Sequence, residues 1–147
     1  MIDRSARNTL AELIHQFVAG RIENFDFENR VPESEDFAIR EIWWCGCWPL
    51  YDDFRTHRMA GKWRIPDESR PEIAKWILFL HSDYEYEWKP RTWPGNPGGS
   101  FLRLLTFGSF PKFLYAFRTG EERAWPFMSM SQLDKARRHP RYLNSAK

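Results

Sequence analysis

Apolar positions in the first 20 residues fall at helical spacing. Leu10, Ile14 and Phe17 recur at i, i+4 and i+7 with Leu13 beside them, which predicts a helix over 5–20 that Gly20 stops. Residues 24–32 are charged and turn-rich and carry no such stripe. A second helical face follows at Phe37, Ile39, Ile42 and Trp43, with Ser34 as candidate N-cap and Asp36 in the first turn. A break is expected near Gly46, with Pro49 opening a short helix through Arg55 whose inward side is Leu50, Tyr51 and Phe54. Ile73, Trp76, Ile77 and Leu80 form the clearest stripe, after a Ser69 cap and Pro71 and before a stop at His81-Ser82-Asp83.

Beyond that stop the period changes. Tyr84-Glu85-Tyr86-Glu87-Trp88 alternates aromatic and acidic residues, the mark of an extended segment. Residues 89–100 are rich in Pro and Gly and read as a loop. Residues 101–107 fit a helix or a strand equally. Lys112 to Arg118, a turn at Thr119-Gly120, and Arg123 to Phe127 read as a β-hairpin, with Pro126 confining the second strand to an edge. Ser129 or Ser131 can cap a last helix through Arg138, which Pro140 ends. The expected fold is therefore α+β: one mainly helical domain over 1–147 with a short hairpin near its C-terminus.

The length of 147 residues suits one domain, and 29% charged against 42% hydrophobic residues excludes wholesale disorder. The longest apolar run, Trp76 to Leu80, is far short of the roughly 18 residues of a membrane span. Asp3, Glu12, His15 and Gln16 interrupt any export signal, so a cytoplasmic location is expected. Cys45 and Cys47 sit too close for an unstrained bridge and read as reduced thiols. The net charge of +2 hides an asymmetry: residues 1–90 hold 12 Lys/Arg against 17 Asp/Glu, a net of −5, and residues 91–147 hold 10 against 3, a net of +7. Such halves imply a charged partner or a basic tail that neutralises the acidic part.

Few residues point to chemistry. Cys45 and Cys47 lack the second ligand pair of a zinc site. His81-Ser82-Asp83 are consecutive, whereas a hydrolase triad is assembled in space. His15, His57 and His139 stand alone. No catalytic residue, cofactor or metal is expected. Asp83, Glu85 and Glu87 are the best carboxylate cluster for a small metal-dependent hydrolase, an alternative reading. A second alternative is nucleic-acid binding by the C-terminal part. There Arg103, Lys112, Arg118, Arg123, Lys135, Arg137, Arg138 and Arg141 alternate with Phe101, Phe107, Phe110, Phe113, Tyr115, Phe117 and Trp125. With no reading motif such binding would be weak and non-specific. The leading expectation is a partner-binding surface made of Asp83, Tyr84, Glu85, Tyr86, Glu87 and Trp88, joined by Asp52 and Asp53. Aromatic anchors supply contact, and carboxylates steer a basic partner. Its competitor is a turn whose tyrosines pack inward.

Three strings, Leu50-Tyr51-Asp52-Asp53-Phe54, the stretch from Phe79 to Trp88, and Trp125-Pro126-Phe127, resemble those of small single-domain bacterial proteins that serve as immunity partners of secreted toxins. The resemblance runs from about residue 34 to 143. It implies no cofactor and no catalytic residue. It implies a non-enzymatic, cytoplasmic protein that binds a basic toxin domain and occludes its active site.

Overall fold

A computed structural model describes residues 1–88 and 120–141. Five α-helices organise them: α1 (Arg4–Val18), α2 (Asn24–Arg30), α3 (Phe37–Ile42), α4 (Arg70–Leu80) and α5 (Met130–Arg138). Short 3-10 turns at Gly61–Trp63, Asp67–Ser69 and Glu122–Ala124 link them. No strand occurs among the described residues, so the expected α+β class is corrected to a helical one.

The hairpin fails for a local reason. Its second strand, Arg123 to Phe127, is a tight turn whose amides bond three residues back: Ala124 to Glu121, Trp125 to Glu122 and Phe127 to Ala124. These bonds consume the groups a ladder would need. Lys75 on α4 fixes the turn by donating to the Arg123 carbonyl at 2.7 Å. The first strand, 112–118, and the loop at 89–100 lie outside the described residues.

α1 is built as its stripe requires. Asp3 caps it by accepting from the Ala6 amide, and Leu10, Leu13, Ile14 and Phe17 are buried. Gly20 follows it at φ +69°, a conformation that suits glycine after a helix end. α2 forms where only turns were expected. Phe27 stacks on Phe17 with ring centroids 4.6 Å apart, and Asp26 pairs with Arg30 one turn on. Tertiary burial of one ring thus makes a helix that periodicity does not reveal.

α3 starts two residues later than expected. Asp36 is its N-cap, accepting from the Ala38 amide, while Ser34 supports Asp36 through its backbone N–H. The helix widens into a π turn over Trp43–Cys47 and closes in a 3-10 turn over Trp48–Leu50, with Pro49 in the first turn of the latter. Gly46 is needed here because a Cβ would meet the Trp76 ring at 3.1–3.2 Å. The helix expected through Arg55 is not made. Asp52 Oδ1 accepts from the Phe54 amide, and this local bond outcompetes helical pairing. Phe54, expected inside, is 94% exposed.

α4 follows the expected stripe closely, with Ile73, Trp76 and Leu80 buried and Ile77 partly so. It supplies Phe79 and Leu80 to the core beside Ile39 and Ile42 of α3 and Leu133 of α5. Ser129 caps α5 by accepting from the Gln132 amide.

Candidate functional site

The end of α4 leaves carbonyls without helical partners, and from the start of α1 Arg4 answers one of them while Arg4 and Arg7 hold carbonyls of the chain that follows. Arg4 donates to the Leu80 carbonyl at 2.7 Å and the Ser82 carbonyl at 2.5 Å. Arg7 donates to the Ser82 and Tyr84 carbonyls at 3.3 and 2.8 Å. Cations also suit the negative end of the α4 dipole. This clamp directs the chain out of α4 into residues 83–88, which form neither helix nor strand.

Alternation then decides which side chains face out. Asp83, Glu85 and Glu87 are exposed, Tyr84 and Tyr86 are half-buried, and Trp88 is 3% exposed. Tyr84 meets the Phe127 ring edge-on, and Tyr86 packs between Phe37 and Phe79. The Tyr86 hydroxyl accepts from Trp125 Nε1 at 3.0 Å, and Trp88 Nε1 donates to the Phe127 carbonyl at 2.9 Å. The rings therefore root the segment, and the carboxylates form its outer edge.

The edge is partly neutralised from within. Asp83 pairs with Arg4 at 3.1 Å on one oxygen and with Arg141 on the other. The Arg141 contact is one instance of the basic tail meeting the acidic part. Glu85 faces the amino terminus at 3.3 Å. Glu87 has no ion pair among the described residues. Two further carboxylates, Glu33 and Glu35, are exposed just before α3, and the Phe37–Tyr86 stack brings their segment alongside. Sequence reading did not include them. Their signal was the Glu-x-Glu pattern preceding the Asp36 cap.

Asp52 and Asp53 do not join this group. Tyr51 contacts Phe17 near the C-terminal end of α1, whereas Asp83 pairs with Arg4 at its start. α1 has 15 residues, so at about 1.5 Å per residue the two places are roughly 20 Å apart. Asp52 serves its own turn, and Asp53 is exposed.

The remaining candidates have structural surroundings. Cys47 is buried, which pushes its thiol above the ordinary range, and Cys45 lies 3.6 Å from Glu41. His57 Nδ1 donates to the Arg55 carbonyl at 2.8 Å, and its ring stacks on Trp63. Among the described residues no group of three or more His, Cys, Asp or Glu side chains converges to hold a metal ion, Asp83, Glu85 and Glu87 included. Of the basic, aromatic C-terminal part, Arg103, Lys112 and Arg118 and the aromatics from Phe101 to Phe117 lie outside the described residues. Lys135, Arg137 and Arg138 are exposed on α5, but Trp125 is buried and offers no stacking platform. No described helix is long and apolar enough to cross a membrane.

No protein-family model matches the chain, and neither the curated proteins nor the solved structures contain a significant match to it.

Proposed function

We propose that the chain is a non-enzymatic protein-binding module whose acidic edge docks a basic partner. The observation that carries this reading is the outward row of Asp83, Glu85 and Glu87 on a segment rooted by three inward rings. A rigid root fixes the carboxylates in space, so a partner pays little ordering entropy to meet them. The field of Glu85 and Glu87, extended by Glu33 and Glu35 and offset at Asp83 by Arg4 and Arg141, steers a cationic surface and speeds encounter. Tyr84 and Tyr86 offer the half-exposed edges of their rings as contact area, and Trp88 supports them from beneath. The specific form implied by the sequence resemblance is neutralisation of a toxin by covering its basic active site.

The test is the Glu85→Lys/Glu87→Lys variant, checked for folding by circular dichroism and measured against a basic partner recovered from the source cell. The expected result is slower association, a weaker salt dependence, and loss of inhibition if the partner is an enzyme. Unchanged association and dissociation rates with the fold intact would sink the assignment.

A further inference from the structure

Phe54 is the one large apolar side chain, besides Met1, that stands almost wholly in water among the described residues. It is not on a loose loop. Asn24, fully buried, donates to the Asp52 and Arg55 carbonyls at 2.8 and 3.0 Å and accepts from the His57 amide at 2.9 Å. With Asp52 holding the Phe54 amide, the turn is set before any contact forms. The result is a rigid aromatic knob with the exposed Asp53 carboxylate beside it.

A complementary hollow lies on the outer face of α4. Ala74, Ile77 and Leu78, at helical spacing, floor a cleft of about 410 Å³, and His15, His81 and Arg137 rim it from α1, α4 and α5. No carboxylate lines it among the described residues; Lys75 at its base is engaged by Glu72 and the Arg123 carbonyl, and Arg137 meets only the half-exposed Asp134 of its own helix, at 3.7 Å. No residue of the turn 52–57 lines this cleft, so the Phe54 knob does not fill the cleft of its own molecule.

We infer that a second copy of this chain is the occupant: the Phe54 ring of one copy enters the α4 cleft of the next, with Asp53 facing the Arg137 rim. Apolar ring meets apolar floor, and the carboxylate meets the cationic rim. Each copy carries one knob and one hollow, so a single Phe54 in a single cleft is enough to join two copies. A single ring makes a small interface, and the association is accordingly weak. It does not involve the acidic edge and stands or falls without it.

Sedimentation equilibrium on the full chain, from micromolar to millimolar concentration, tests this. The average mass rises with concentration for the unaltered chain. Phe54→Ser and Ala74→Arg, both at exposed positions, each weaken association roughly tenfold or more. An equimolar mixture of the two variants then forms dimers that stop at two copies, because one variant keeps the hollow and the other keeps the knob. If circular dichroism shows that Ala74→Arg loses helix, Arg137→Glu takes its place. A chain that stays monomeric at millimolar concentration overturns the proposal, even if Phe54 engages a different protein. So does a Phe54→Ser chain that associates normally, or a mixture that stays monomeric where the unaltered chain associates.

Discussion

The Arg7 guanidinium and the Asp36 carboxylate meet as a two-point fork, Nε to Oδ2 at 2.5 Å and Nη2 to Oδ1 at 3.0 Å, and neither residue is reached by solvent to any extent. Asp36 also accepts from the Asp3 and Ala38 amides, and Arg7 lies over the Phe79 ring. One pair thereby joins α1, α3 and the root of the acidic edge.

Breaking this pair from one side should be severe. Arg7→Met strands a buried carboxylate and is expected to cost about 3–5 kcal/mol, whereas Arg7→Met/Asp36→Ser, which keeps a capping oxygen for α3, should cost less than the sum of its parts. Urea unfolding of the two singles and the double measures the difference. Strict additivity would show that the two side chains do not act as a unit.

Stability should fall in two steps as pH decreases. Burial, with Arg4 and His15 nearby, lowers the His81 pKa from its ordinary 6.5, so the folded chain favours the neutral ring. The unfolded chain binds that proton more readily, and the His81 contribution is present above about pH 6.5 and fades below it. The second step belongs to Asp36. Burial raises its pKa, but the Arg7 hydrogen bond, the Asp3 and Ala38 amides and the Arg7 charge outweigh burial and hold it below 3.8. Its contribution is complete above that value and is lost as pH falls further. His81→Asn should remove the first step from a plot of urea midpoint against pH and leave the second.

Asn24→Ala should be costly although it deletes only a small amide. It leaves the Asp52 and Arg55 carbonyls and the His57 N–H without their partner, for an expected loss of about 1–3 kcal/mol. Phe54→Ser, on the same turn, should change stability by no more than about 0.5 kcal/mol. Thermal unfolding of both variants makes the comparison.

The two thiols should differ in reactivity. Cys45 is partly exposed, while burial raises the Cys47 thiol and hides it. A thiol reagent at neutral pH should modify Cys45 in the folded chain and reach Cys47 only on unfolding. Equal labelling rates would show that the π turn opens readily.

Much of the frame was legible because long stripes leave little choice. α1, α4 and α5 lie where periodicity places them, although Ser69 stands at the N-cap of α4 without a side-chain capping bond, and Gly46 marks the widened turn. Short elements were not legible. α2 owes its helix to Phe27 stacking on Phe17, a contact that no local pattern announces. Phe54 reads as core by composition, yet Asp52 and Asn24 bond the backbone around it and turn it outward. The supposed second strand at Arg123 to Phe127 had the aromatic content of a strand but places its hydrogen bonds locally. At 83–88 the alternation of residue types is matched by an alternation of burial, with the carboxylates outward. It could not show that Trp88 is a buried prop, because which face of an extended segment meets the core is decided by what packs there.

The clamp of Arg7 on residues far along the chain also sets an order of events during synthesis. Its carboxylate partner, Asp36, lies 29 residues downstream, and the Tyr84 carbonyl lies 77 downstream. A nascent chain that has just completed α1 holds a guanidinium with nothing to answer it but water, and burying it then would be strongly unfavourable. α1, translated before the other described helices, is therefore among the last of them to be sealed. Closure waits for the segment after α4 to emerge, which gives this helical protein the long-range, slower closure usually associated with sheets.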